Sequence, residues 1–347
     1  MVTTSLLGPI ALLATLTAGA AHRPPAAEAR HAAVEGFGAA TAGGAGQAAC
    51  EVTSLADSGP GTLRACLATG YRSVTFAVAG EIALQDWLVV GGPFVTVDGF
   101  TAPSPGITLR DWPLAIFRNI PGKPNAHDVI IRGIRVRHAA NDDTSRDCIS
   151  IAGPTFNIVI DHVSVARCGD GGIDVVQGAR NITIQWSIIS DDKAMLLGAT
   201  SSARYVGTER ISVHHNLFPS GLDRMPLVRP GDYQAADTTV DIRHNVFRGW
   251  LRSNATKIEA RAWVNVVGNT YIPGPEATAR DRVRSLRIAP GSRVYTAANV
   301  ELGPPPAPDF NRYGNEPAPL PAPPITPRMA GCVVAEAGVR PLDALDG

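Results

Sequence analysis

The sequence predicts an all-β chain wound into a right-handed single-stranded parallel β-helix, and three observations carry that prediction. First, a strand pattern recurs at Ile131, Ile160, Ile184, Val213, Ile242 and Val266, with steps of 24 or 29 residues. That is the length of one coil in a solenoid whose repeats stack only on their neighbours. Second, each repeat alternates β-branched with polar residues, as in NIVIDHVSV at 157–165, which marks a half-buried strand, and no long helical periodicity intervenes. Third, an asparagine falls three positions after the register residue at Asn216, Asn245 and Asn269. Amides stacked at one turn hydrogen-bond along the axis and satisfy turn backbone groups.

In chain order, residues 1–20 carry no charged side chain and close on Ala18-Gly-Ala20, which reads as a secretory signal peptide. Residues 21–48 are rich in Ala, Gly and Pro and read as a flexible leader. The β-helix is expected over 49–300, with less regular early coils at 73–78 and 94–99. Residues 301–347 form a Pro-rich C-terminal segment, extended between Gly303 and Pro327 because proline offers no ladder donor. The tail after Met329 is placed to dock back on the β-helix, since a solenoid needs covered ends.

With 347 residues and 45% hydrophobic content the chain can bury a large core. Its 31 basic and 31 acidic side chains cancel, so no global field draws nucleic acid or an anionic membrane, and an anionic ligand must be held by local charge. Five cysteines fit an oxidising compartment with one left over. Cys50 and Cys66, and Cys148 and Cys168, could each meet on neighbouring coils about 4.8 Å apart. The connectivity stays open, buried thiols being the alternative for the second pair, and Cys332 is the odd residue.

Four segments, 147–153, 172–178, 193–198 and 224–231, each end in glycine and are expected to share one phase of the coil, so that their side chains stack into a groove. That groove collects Asp147, then Asp170 and Asp174, then Lys193, then Arg224 with Arg229. Any one of these alone reads as a solvated loop charge; six in one phase do not. Three carboxylates on adjacent strands suit a hard cation, and Ca²⁺ accepts six to eight oxygens in adaptable geometry. Zinc is disfavoured because no CxxC pair or HExxH helix occurs and His214 and His215, in a strand, are expected to point to opposite faces as packing or surface residues. A G-x-S-x-G elbow and a Walker loop are missing too. A glycoside hydrolase needs one carboxyl kept protonated beside a partner, whereas these acids are clustered, with cations on the following coils.

Taken together, DSGPGTLR at 57–64, TAPSPGITLR at 101–110, IDHVS at 160–164, DGGIDV at 170–175, DKAMLLG at 192–198, HHNLF at 214–218 and RMPLVR at 224–229 resemble the pectate lyases of polysaccharide lyase family 1, from about Cys50 to Tyr271. The resemblance implies that Asp147, Asp170 and Asp174 ligate Ca²⁺, that Lys193 and Arg229 grip uronate carboxylates, and that Arg224 faces the C5 proton. Asp161 and His162 match a motif that looks mainly structural. Two departures stand out: Asp170 where many relatives use glutamate, and Ser145 where an additional aspartate often sits, which Asp142 or Asp143 could replace. The implied protein is a secreted monomer that cleaves de-esterified polygalacturonate to 4,5-unsaturated oligogalacturonates by Ca²⁺-assisted β-elimination, with no nucleic-acid or membrane partner. The alternatives are a pectin lyase acting on methyl-esterified chains, a polygalacturonase-type hydrolase, and a β-helix that binds polysaccharide without catalysis.

Overall fold

Each register residue read from the sequence pairs with the next: Ile131, Ile160, Ile184, Val213, Ile242 and Val266 are Cα partners in successive parallel strands. The file continues through Val74 and Val97 on one side and Thr296 on the other. The computed structural model describes residues 33–117, 125–138, 146–199, 207–231, 238–251, 254–259, 261–274, 284–302, 317–318 and 324–346. The proposed signal peptide, Asp142, Asp143 and Ser145 lie outside them. Within them the strands form three parallel sheets of ten, eight and nine strands, and consecutive members of a sheet are one coil apart in sequence. The fold is a parallel β-helix. Inward residues of one coil, Ile149 and Ile151 in the second sheet, Ile158 and Ile160 in the first, and Val163 and Val165 toward the third, are wholly buried. Each such aliphatic side chain contributes roughly 1.5–3 kcal/mol.

The corner between the first and third sheets has one backbone solution, repeated. Gly133, His162, Trp186, His215, His244, Gly268 and Ala298 all take left-handed φ between 48° and 69°. For a residue with a Cβ this costs roughly 1–2 kcal/mol. Beside the corner runs the asparagine ladder, one member longer than the sequence suggested. Asn216, Asn245, Asn269 and Asn299 accept from the main-chain N–H of Ser187, Asn216, Asn245 and Asn269 at 2.9–3.1 Å. Their amide nitrogens donate to the carbonyls of Ile184, Val213, Ile242 and Val266 at 2.7–2.9 Å. All four are buried, so every corner polar group they serve would otherwise be left without water.

Both disulfides form, Cys50 with Cys66 and Cys148 with Cys168, and Cys332 is free. The first ties strand Ala48–Val52 to helix Leu63–Leu67, whose N-cap Thr62 accepts from Ala65 N–H. Residues 36–44, inside the stretch read as a flexible leader, lie against the outer face of the first sheet. Phe37 N–H donates to Ser212 Oγ, Gly38 N–H to Thr183 Oγ1 and Gly44 N–H to Thr96 Oγ1. Small residues serve close approach here: a Cβ on Gly38 would sit 2.9 Å from Thr183 N. At the other end helix Ala330–Glu336 leads to Gly338, whose N–H donates to Trp186 O. There Arg137, buried on the third sheet, pairs with Asp343 and Asp346 at 3.0 and 2.8 Å.

Replacing Asn245 by alanine strips the acceptor from Asn216 N–H and the donor from Val213 O inside a dry corner. A loss on the order of 2–4 kcal/mol is expected, read as a lowered urea midpoint; a change within error would show that the ladder adds no stability.

Candidate active site

The turns that enter the second sheet stack directly. Cys148 N–H donates to Gly171 O, Gly172 N–H to Lys193 O and Met195 N–H to Arg224 O, at 2.9, 3.1 and 2.9 Å. This brings the acidic and basic turns of four coils side by side. The glycine endings themselves are not in register: Gly198 pairs with Val176 and with Arg229, not with Gly178 or Gly231. The expected phase therefore holds where the charged residues sit and slips by about two residues where the strands end.

Asp147 and Asp174 converge on Gly171. A Cβ on that glycine would lie 2.5 Å from Asp174 Oδ1 and 2.9 Å from Asp147 Oδ1, so only hydrogen fits between the two carboxylates and the backbone. Asp174, 7% exposed, accepts from Leu196 N–H at 2.9 Å. Asp147 accepts from Ser150 Oγ at 2.5 Å and from Gly171 N–H at 3.1 Å. Burial, and then the charge of Asp147, holds the Asp174 carboxyl well above the usual carboxylate range; burial, reinforced by Asp170, raises Asp147 as well. Two acids strained in this way are relieved by a cation among them. An all-oxygen set in a partly open groove fits Ca²⁺ better than a nitrogen- or sulfur-seeking metal.

Asp170 has a counter-ion of its own: its Oδ1 lies 2.5 Å from Lys193 Nζ, with both side chains about one-third exposed. Arg224 takes φ 61°, and its charge acts favourably on both Asp147 and Asp174. The structure thus brings together Asp147, Asp170, Asp174, Lys193 and Arg224. Arg229 stands apart, 59% exposed on the strand paired with Gly198, with its Nε 3.4 Å from Glu259, which also holds Lys257 at 2.7 Å. Sequence reasoning missed the parts played by Gly171, Ser150 and Glu259. The Asp-Gly-Gly run was the available signal for the first; nothing marked the other two.

Two other sequence readings resolve away from the groove. Asp161 accepts from Gln185 and pairs with His162 Nδ1 at 2.7 Å, while His162 stacks on Trp186; both serve the corner. The expectation that His214 and His215 point to opposite faces is wrong. Their Nδ1 atoms are 2.9 Å apart, because the left-handed φ of His215 breaks strand alternation at that residue.

A family model described as pectate lyase matches residues 124–271. A probable pectate lyase C of Emericella nidulans is 35% identical over 245 residues, covering 70% of this chain and 53% of the relative. The chain thus spans about half the length of this relative and of the other fungal pectate lyases it matches. Among solved structures, the major cedar-pollen allergen jun a 1 superposes with TM-score 0.62 at 21% identity, over 88% of this chain and 92% of that one. A pectate lyase of Bacillus sp. N165, solved in complex with trigalacturonate, gives the same TM-score at 17% identity, over 88% and 98%. These likenesses establish the fold alone; the family model and the 35% identity over 70% of the chain place it in the pectate lyase family.

Proposed function

We propose that this chain is a secreted pectate lyase that cleaves de-esterified polygalacturonate by Ca²⁺-assisted β-elimination. The observation that carries the reading is the pair of acids at Gly171, Asp174 raised by burial and by Asp147, and Asp147 raised by burial and by Asp170, with Arg224 and the Asp170–Lys193 ion pair beside them. Secretion is supported by the two disulfides. No described helix is long and apolar enough to cross a membrane.

Asp147, Asp170 and Asp174 would hold Ca²⁺, which when bound supplies charge neutralisation for the uronate carboxylate next to C5. Loss of the C5 proton puts further negative charge on that carboxylate, and Lys193 and Arg229 would offer it cationic donors, an oxyanion-type role. Lys193 would have to exchange Asp170 for substrate, and Arg229 would have to leave Glu259; both pairs are partly exposed and screened, so little opposes the exchange. Arg224 would take the C5 proton as the C4–C5 double bond forms and the C4–O bond breaks, the departing oxygen taking a proton from solvent.

Lys193 has a support that the sequence did not reveal. Asp191, buried beneath it, accepts from Cys168 N–H at 2.6 Å and Lys193 N–H at 3.4 Å. Burial nevertheless pushes its carboxyl up to about 6. Because the folded value lies above the unfolded one, the group favours the fold below about pH 4, and that contribution is lost as pH rises through 6.

Three outcomes are expected. Polygalacturonate with Ca²⁺ should yield the ultraviolet absorbance of an unsaturated uronide, abolished by chelator and reduced about 10²–10⁴-fold by Arg224→Ala with circular dichroism unchanged. Reducing ends without absorbance would instead mark a hydrolase, and binding with neither signal a non-catalytic module. Gly171→Ala should raise the Ca²⁺ concentration for half-maximal activity about 10–100-fold, and an unchanged requirement would take the metal away from Asp147 and Asp174. Asp191→Asn should gain stability relative to the parent between pH 4 and pH 7, by up to about 2–3 kcal/mol. A urea-midpoint difference that stays flat across that range would contradict the raised carboxyl.

A further inference from the structure

The first sheet carries a second cluster of ligating atoms, which the lyase chemistry does not use. His214 ends strand Glu209–His214, and His215 occupies the left-handed corner. Their rings stand nearly perpendicular, at 85°, with centroids 5.0 Å apart and Nδ1 atoms 2.9 Å apart. Glu35 closes the group: one ligand atom each of Glu35, His214 and His215 lies within 4.8 Å of the other two.

Glu35 is held there independently of the imidazoles. Its N–H donates to Gln185 Oε1 and its carbonyl accepts from Thr183 Oγ1. Its carboxylate accepts from Thr326 N–H at 2.9 Å and Thr326 Oγ1 at 2.5 Å. Three stretches of chain remote in sequence therefore meet at one point.

Both imidazoles are buried, 0% and 1% exposed, and neither Nε2 has a well-formed hydrogen bond. Two neutral proton arrangements are open to the pair. If one ring donates Nδ1–H to the other, the accepting ring carries its proton on an Nε2 sealed from water without a partner, at a cost of roughly 1–3 kcal/mol. If both rings carry the proton on Nε2, two bare Nδ1 lone pairs face each other. The second arrangement is the one a cation relieves, since it accepts both Nδ1 lone pairs and leaves each ring its Nε2 proton. Burial, the largest effect on both rings, keeps them neutral and so competent as ligands. Of the nearby cations, Arg243 is engaged by Asp241 at 2.6 Å, whereas Arg328 opposes a further positive charge.

We propose that Glu35, His214 and His215 form a binding site for a borderline divalent cation of the zinc type, clasping the N-terminal segment onto the first sheet. Two nitrogens and a carboxylate oxygen are a zinc-like donor set, with a fourth position left for water, and they are a poor set for Ca²⁺. Tetrahedral ligands at about 2.0–2.1 Å stand about 3.3 Å apart, so the two rings need to separate by only a few tenths of an ångström.

The test uses the full chain, stripped with chelator and then equilibrated with Zn²⁺ in excess Ca²⁺, with metal per chain and melting temperature as readouts; neither depends on lyase activity. The parent should retain one zinc per chain and melt higher with it. Glu35→Gln and His215→Gln should each weaken zinc binding at least about tenfold and remove the thermal shift. Glu35 lies outside the core, so its variant keeps the test valid if His215→Gln does not fold. Absence of retained zinc in the parent would overturn the proposal. So would zinc binding and a thermal shift undiminished in Glu35→Gln, which would leave the histidines as a hydrogen-bonded pair with zinc held elsewhere.

Discussion

The left-handed corner with its buried amide ladder is the constraint on which this molecule depends. A parallel strand can slide along its neighbour in steps of one residue, and each slip exchanges inward and outward faces. Here a slip would also take an asparagine out of hydrogen bonding with the coil on each side. The left-handed residue turns the chain between two sheets in a single step, and the ladder absorbs the polar groups that this leaves buried. Coils of 24 and 29 residues are thereby forced into a common phase. The difference in length is taken up elsewhere: residues 156–166 and 180–190 run in step through the first and third sheets, so the extra residues fall in other turns.

The acid groove inherits its geometry from that phase. Asp147 and Asp174 are 27 positions apart in the chain, yet they share the space beside Gly171 because Ser150 and Asp174 are register partners. Packing two carboxylates into a buried cleft is unfavourable, and the main-chain N–H groups of Leu196 and Gly171 offset only part of the cost. Asp170, more exposed, is instead compensated by Lys193. The site thus contains two acids that have no ion pair among the described residues, though Arg224 acts on both from farther off, and a third, Asp170, that has one. A divalent cation therefore has most to gain at Asp147 and Asp174, and Asp170 is the ligand that must first give up a partner.

Fold and site were unequally legible in the sequence. Periodicity located the register to the residue, because Ile131, Ile160 and their successors are chosen by a core that repeats on every coil, but a repeat read as one strand, 157–165, divides at the corner into Phe156–Asp161 and Ser164–Ala166 in different sheets. The site residues were nameable because charges recurred in the turns of the same coils. Their partners were not: Glu259 reaches Arg229 through a side chain of no fixed phase, and Asp191 is an acid whose burial nothing in its neighbourhood announces. Asn299 could have been found, since it stands three positions beyond Thr296, but Thr296 does not look like a core strand residue and the register was not carried that far.

The error over His214 and His215 has a physical lesson. Alternation of faces is a property of extended backbone, and it fails at the corner residue between the first and third sheets, which turns left-handed. There the side chains of neighbouring residues swing toward each other, and the same device repeats at Asp161 with His162, where carboxylate and imidazole also meet. In this β-helix the corner is therefore the place where adjacent residues cooperate, while the sheets are where residues a coil apart do so. Groups meant to act together can be sought by the first rule at the corner and by the second in the groove, and the two candidate sites of this chain fall one under each.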